Sequence, residues 1–217
     1  MSGHSGARGR PAPYGATLRP TGRPPLPWLK PGLLIGAFVP LGSLLLRAVQ
    51  GTLGADPIAR TQNELGLTAL VLLVASLACT PARRVFGWTW AIRIRRELGL
   101  FAVFYATLHV LTYAFLDQGL NAEAILKDIG ERPFITAGFV AFVLLLPPAF
   151  TSTDASVRRL GFKRWQNVHR LAYAAGALAV LHFIWRVKID TRQPLIYAGI
   201  LGALLLVRFV VWLRRQR

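Results

Sequence analysis

The chain has 217 residues, of which 53% are apolar and only 16% are charged. Charged residues make up about a quarter of an ordinary soluble domain, so this composition argues against a soluble domain and against a disordered chain. The 26 Lys and Arg residues outnumber the 9 Asp and Glu residues, which gives a net charge of +17. Because a nucleic-acid-binding protein rarely consists of long apolar runs, the basic excess favours the anionic inner face of a lipid bilayer over nucleic acid as a partner.

Residues 1–31 are rich in Gly, Pro and Arg and have no apolar periodicity. This composition predicts a disordered basic cytoplasmic tail. The tail contains no apolar stretch of the kind that a secretory signal peptide requires, so we do not interpret it as one.

Six apolar runs follow the tail, and they occupy residues 32–49, 65–79, 98–116, 134–150, 168–185 and 195–213. A membrane-spanning helix needs about 17–25 mostly apolar residues, and five of the runs reach that length. The run 65–79 is short and needs its flanks to span. Because the runs are continuous rather than alternating, they indicate helices and not the strands of a barrel. The sequence therefore predicts an all-α membrane protein with a six-helix transmembrane domain over 32–213 and a basic C-terminal end at 214–217.

Basic residues are distributed unevenly over the two sides of these runs. The tail, the second and fourth connections and the C-terminus hold 17 Lys and Arg residues, whereas the other three connections hold 6. Since cytoplasmic loops carry the positive excess, both termini are predicted to be cytoplasmic. The tryptophans lie at or near the ends of the runs, where amphipathic rings favour the headgroup layer: Trp28, Trp88, Trp90, Trp165, Trp185 and Trp212.

Three of the four histidines lie inside apolar runs, His109 in the third and His169 and His182 in the fifth, whereas His4 lies in the tail. Ionisable residues inside a membrane are costly and indicate function by default. No acidic residue lies in the core of any run, so a proton relay or an ion-coupled transporter is disfavoured. Neutral imidazoles in an apolar bundle suit the axial positions of a b-type haem. The alternative is that each histidine hydrogen-bonds a neighbouring helix.

Depth in the membrane distinguishes the three histidines. Counted from the basic residues at the inner end, His109 lies about 7–8 Å from the depth of His182 and about 12 Å from that of His169. The spacing predicts His109 and His182 as the two axial ligands of one haem. His169 is either a ligand of a second haem, with weak or unusual ligation, or an interfacial histidine. Arg170 and the loop arginines are predicted to bind the haem propionates.

Several short segments together carry a family resemblance. They are LGADP (53–57), RRELGL (95–100), ATLH (106–109), AFTST (149–153), KRWQ (163–166), WRVK (185–188) and PLIYA (194–198). The set resembles the ferric-reductase-like transmembrane family and, within it, the MsrQ family of haem-binding subunits of protein-methionine-sulfoxide reductase systems.

The resemblance implies a multi-pass protein of the bacterial inner membrane that binds haem b and is associated with FMN. It implies that electrons pass from the membrane quinol pool to a periplasmic MsrP-type molybdoenzyme, which reduces methionine sulfoxide in oxidised envelope proteins. The family's haem histidines correspond to His109, His169 and His182. No sulfoxide-reducing site is expected in the chain itself.

Two other functions are consistent with several apolar helices. A multi-helix transporter would have broken helices and acidic residues at mid-depth. A haem-free scaffold for a partner enzyme would use the three histidines only for helix contacts. The roughly 60 residues in connections are too few for a nicotinamide- or flavin-binding domain of about 100–150 residues, which favours an electron relay.

Overall fold

The computed structural model describes residues 26–214, apart from the side chain of Trp212. Most of the predicted tail, including His4, and residues 215–217 of the predicted basic end therefore lie outside the described residues. Helices account for most of the described chain: α1 (Leu29–Val49), α2 (Pro57–Phe86), α3 (Thr89–Leu111), α4 (Ala122–Glu131), α5 (Pro133–Phe150), α6 (Asp154–Leu160), α7 (Phe162–His169), α8 (Leu171–Arg186) and α9 (Arg192–Leu213). A π-helical segment, Thr112–Asp117, continues α3.

Six segments of the described chain are long and apolar enough to cross a membrane: Leu29–Val49, Pro57–Phe86, Thr89–Asp117, Pro133–Phe150, Phe162–Arg186 and Arg192–Val211. The predicted all-α fold with six membrane-spanning helices is thereby confirmed. α1 begins three residues before the boundary predicted at residue 32. We call the end of the bundle that carries residues 50–56, 118–132 and 187–191 the outer end, because the charge pattern predicts that it faces the periplasm. The opposite end is the inner end.

The second span is the longest helix, although its apolar run is the shortest of the six. Asp56 caps the N-terminus of α2 by accepting a hydrogen bond from the Ala59 N–H (2.9 Å), and Pro57 occupies the first turn, where its missing N–H costs nothing. At the other end Gly87 adopts a left-handed conformation (φ 70°) that stops the helix. These caps extend the helix across polar flanks, which supply the length that residues 65–79 lack.

The connection between α2 and α3 is shorter than the sequence pattern predicts. Arg93, Arg95 and Arg96 were expected in a loop, but α3 begins at Thr89 and contains all three. The connection itself is only Gly87 and Trp88. The arginines therefore lie near the start of a spanning helix at the inner end, where Arg93 and Arg96 are exposed and Arg95 is partly buried.

Two helix pairs form the centre of the bundle, α2 with α3 and α5 with α8. The main buried cluster joins these four helices with α9, and its members Ala102 on α3 and Ala175 on α8 are fully buried. Small residues at such contacts allow helix backbones to approach closely in a membrane, where packing rather than water exclusion holds helices together.

Helix α1 lies at the edge of the bundle and is tied to it by three polar contacts at different depths. Lys30 pairs with Glu97 of α3 at the inner end (2.8 Å). The Tyr105 hydroxyl donates to the Ala37 carbonyl at mid-depth (2.5 Å), and Arg47 pairs with Glu64 of α2 near the outer end. Apolar side chains on the opposite side of α1, such as Val39, are exposed toward the lipid.

Candidate functional site

His109 lies on α3, and its ring orientation is fixed by the backbone of α2. The His109 Nδ1–H donates a hydrogen bond to the carbonyl of Gln62, with an N···O distance of 2.9 Å. A carbonyl can only accept, so Nδ1 carries a proton, and in the neutral imidazole, the form that apolar surroundings favour, Nε2 keeps a free lone pair. This is the arrangement in which a histidine binds a metal, because the outer hydrogen bond fixes both tautomer and ring direction.

His182 on α8 has the same arrangement with α5. Its Nδ1–H donates to the carbonyl of Phe134, with an N···O distance of 2.6 Å. The Nε2 atom is again the nitrogen with the free lone pair. Two histidines on different helices therefore use equivalent backbone contacts, each to the helix that is its main packing partner.

The structure brings His109 and His182 together. Their ring centroids are 6.1 Å apart and the ring planes are 79° from parallel. A metal bound on both sides by imidazole nitrogens at about 2 Å would place the ring centres about 6 Å apart. The observed separation therefore leaves room for one metal atom between the two imidazoles.

Two glycines make space for these rings. A Cβ atom on Gly66 would lie 3.1 Å from the His109 ring, and a Cβ atom on Gly138 would lie 2.7 Å from the Nδ1 atom of His182. Each glycine lies one helical turn after the residue whose carbonyl accepts the histidine hydrogen bond, Gln62 for Gly66 and Phe134 for Gly138. A Cβ atom at residue 138 would push the imidazole of His182 away from its carbonyl, and one at residue 66 would crowd the His109 ring.

Both histidines line a cavity of about 720 Å³ between α2, α3, α5 and α8. This volume lies in the range of about 300–1,000 Å³ that is typical of small-molecule and cofactor sites. Its walls are mainly apolar, and its charged lining residues belong to the outer end of the bundle: Arg60, Glu64, Asp117, Arg132 and Arg186. A large apolar ring system with polar groups on one edge matches this distribution, so the residues present fit a haem.

His169 lies apart from this pair, at the inner end. It is the last residue of α7, and Arg170 separates α7 from α8, so the fifth apolar run is two helices rather than one. The Nδ1–H of His169 donates to the Trp165 carbonyl (3.1 Å), and its Nε2 lies 3.4 Å from the Ser152 hydroxyl. The Trp165 ring also lies against the imidazole, with centroids 4.0 Å apart and the ring planes tilted by 34°. His169 thus has polar partners on both nitrogens, unlike the other two.

Arg170, the arginine predicted for the propionates, is exposed at the junction of α7 and α8 and does not line the cavity. Sequence reasoning did not single out Gln62, Gly66 or Gly138, and it counted Arg186 only as one of the loop arginines predicted for the propionates. Only Arg186 had a signal that could have found it, because it follows His182 by four residues and so shares its helix face. The other three act through contacts between helices that are distant in the sequence.

Comparisons with known proteins identify the family to which the chain is similar. Residues 65–180 match the family described as "Ferric reductase like transmembrane component", a range that includes His109 and His169. The chain is 49% identical over 194 residues to the "Protein-methionine-sulfoxide reductase heme-binding subunit MsrQ" of Deinococcus radiodurans, and the match covers 89% of this chain and 96% of the relative. The subunit of the same name in Rhodospirillum rubrum is 50% identical over 185 residues, and the match covers 85% of this chain and 89% of the relative. The subunit of the same name in Herminiimonas arsenicoxydans is 47% identical over 197 residues, and the match covers 89% of this chain and 90% of the relative.

Proposed function

The chain belongs to the MsrQ family of ferric-reductase-like transmembrane proteins, and from this premise we propose that it is a haem b electron-transfer subunit of a protein-methionine-sulfoxide reductase system. In this proposal it takes electrons from membrane quinol and passes them to a periplasmic MsrP-type molybdoenzyme that repairs oxidised envelope proteins. The observation that carries the proposal is the His109–His182 pair, two neutral imidazoles 6.1 Å apart in one cavity.

His109 and His182 would hold the haem, because the carbonyls of Gln62 and Phe134 engage the Nδ1 atoms and leave both Nε2 atoms free to bind iron. When bound, haem supplies a one-electron Fe(III)/Fe(II) couple. The apolar wall would keep water away from the iron, and the positive charge of the nearby arginines would raise its reduction potential, because that charge stabilises the added electron.

His169 is our candidate for the ligand of a second haem near the inner end, and Arg170 remains a candidate for binding haem propionates. The interfacial alternative for His169 is supported by its contacts with Trp165 and Ser152. FMN as an associated cofactor and quinol as the donor enter the proposal through the family resemblance alone.

Haem content of the purified protein tests the proposal directly. We expect the reduced wild type to have a b-type visible spectrum, with one haem per chain if His169 has no ligand role and two if it has. His109→Ala and His182→Ala should each lose most of the haem bound between them, whereas His169→Ala should retain it. A colourless wild type from haem-sufficient cells would overturn the proposal and favour a haem-free scaffold.

Electron transfer needs its own measurement. The reduced holoprotein should be reoxidised by a periplasmic molybdoenzyme of the MsrP type together with methionine sulfoxide, and a quinol analogue should reduce it. If the holoprotein binds haem but exchanges electrons with neither, the relay function is wrong although the haem site is right.

A further inference from the structure

Three arginines line the cavity around His109 and His182, and one of them differs from the others. Arg60 pairs with Glu64 (2.7 Å), and Arg132 pairs with Asp128 (3.1 Å). The side chain of Arg186 is partly buried and makes no hydrogen bond or ion pair with any of the residues 26–214. Two carboxylates also line the cavity, Glu64 and Asp117, but neither forms an ion pair with Arg186. A cation without a paired counter-charge in a largely apolar cavity is unfavourable, so its presence points to an anionic ligand.

The position of Arg186 relates it to the axial histidines. It follows His182 by one helical turn on α8, which places it on the same helix face and about 6 Å nearer the outer end. It also lines the same cavity as His109 and His182.

A purely structural role explains Arg186 only in part. As the last residue of α8 it interacts favourably with the helix dipole, which accounts for the sign of its charge. Arginines near helix ends usually extend to the lipid headgroups, however, and Arg186 lines the cavity instead.

Gln62 offers a second donor at the same site. Its backbone carbonyl fixes His109, and its side-chain amide nitrogen is buried and has no hydrogen-bond partner among the described residues. Gln62 also lines the cavity. A buried amide N–H without a partner is costly, and a bound acceptor oxygen removes that cost.

We propose that Arg186, together with the side-chain amide of Gln62, forms a carboxylate-binding site that takes the propionate groups of the porphyrin. This inference rests on the proposed haem between His109 and His182. A guanidinium presents parallel N–H donors that match a carboxylate, which makes arginine suited to the task. The carboxylate edge of the porphyrin then faces the outer end, the side on which the proposed electron acceptor docks.

The test compares two porphyrins on the full-length chain. Haem-free protein from haem-deficient cells, purified in detergent, is titrated with haemin and with haemin dimethyl ester, in which both carboxylates are blocked. We expect Arg186→Gln to weaken haemin binding by roughly 10–100-fold and to leave the affinity for the dimethyl ester at the wild-type value. Lys188→Gln is the matched control, because it removes the same charge from an exposed position of the outer end that does not line the cavity, and it should change neither affinity.

Each other outcome has a definite meaning. If Arg186→Gln weakens both porphyrins equally, Arg186 supports the fold and the carboxylate site is wrong, while the proposed haem function stands. An unchanged haemin affinity also overturns the site. If the wild type binds neither porphyrin, the proposed function itself fails, and this inference fails with it.

Two further variants keep the test decisive if Arg186→Gln does not fold. Arg186→Lys keeps the charge but loses the paired donors, so it should weaken haemin binding by less than Arg186→Gln and should not affect the ester. Gln62→Leu keeps the backbone carbonyl that orients His109 and removes only the side-chain donor. It should also weaken haemin selectively, and loss of both porphyrins in either variant would contradict the proposed site.

Discussion

Gly138 and His182 lie so close across the contact between α5 and α8 that a Cβ atom on the glycine would come within 2.7 Å of the imidazole Nδ1. The same nitrogen donates to the carbonyl of Phe134, one turn earlier on α5. The absence of a side chain at residue 138 is therefore what allows the ring to reach that carbonyl. Because the hydrogen bond sets the tautomer, the glycine controls which nitrogen of His182 is available to iron.

Gly138→Ala should displace the His182 ring and lower haem content substantially. Gly66→Ala should have a smaller effect, because its Cβ would meet the His109 ring at 3.1 Å, a contact that a shift of a few tenths of an ångström relieves. Gly36→Ala is the matched control, since a Cβ at that position of α1 meets nothing within 4 Å. An alanine in a helix is otherwise favourable over glycine by about 0.5–1 kcal/mol, so the control should bind haem normally and be at least as stable as the wild type.

The haem-to-protein ratio and the visible spectrum measure this series. The expected order of haem retention is Gly36→Ala, then Gly66→Ala, then Gly138→Ala. Equal haem content in all three variants would mean that the two glycines do not position the histidines.

The apolar runs were enough to predict six membrane-spanning segments, because the length of an apolar run can be read directly from the local sequence. The histidine pair was predictable too, since depth can be counted along each helix from the basic residues at the inner end. The roles of Gly66, Gly138 and Gln62 could not be predicted, because these residues contact the histidines only where two helices that are distant in the sequence pack together. The break at Arg170 was also missed, since that residue keeps helical backbone angles and no proline or glycine marks the site.

Tyr105 should hold α1 against the bundle. Its side chain is fully buried, and its hydroxyl donates to the Ala37 carbonyl. Interhelical hydrogen bonds in membranes contribute about 0.6 kcal/mol on average and at most about 1.7 kcal/mol. Tyr105→Phe should therefore lower the free energy of unfolding by an amount in this range. Tyr105→Ala also creates a cavity and should cost about 3–5 kcal/mol. Thermal unfolding in detergent checks both, and a Tyr105→Phe protein as labile as Tyr105→Ala would contradict the assignment.

Glu64 joins α1 to α2 by binding Arg47 as well as Arg60. Glu64→Gln should lower stability by about 1 kcal/mol, because the side chains of Glu64 and Arg47 are only 28% and 30% exposed. Arg47→Gln should cost more than Arg60→Gln, since Arg60 is 54% exposed and its contact lies within one helix. The difference in the free energy of unfolding between each of these variants and the wild type should shrink as the salt concentration is raised. An effect of Arg60→Gln larger than that of Arg47→Gln would argue against the interhelical tie.

Asp56 should stabilise the start of α2 through its N-cap hydrogen bond to Ala59. Asp56→Ala should cost about 0.5–2 kcal/mol of stability, whereas Asp56→Asn keeps the acceptor oxygen and should restore most of it. Haem content should not change in either variant, because the cap lies outside the residues that line the cavity. Failure of asparagine to rescue stability would show that the charge, rather than the cap, is what matters.

The charge pattern predicts the orientation of the bundle in the membrane, and labelling of single cysteines can measure that orientation. Its single cysteine, Cys79, is buried and only 4% exposed, so a membrane-impermeant maleimide should not label the wild type in intact cells. A cysteine in place of Ile189, which is 98% exposed between α8 and α9, should be labelled from the periplasm. A cysteine in place of Arg158, exposed on α6 at the inner end, should be labelled only after the inner membrane is permeabilised. The reverse pattern would invert the topology and place the His109–His182 cavity on the cytoplasmic side, where a periplasmic acceptor could not reach it.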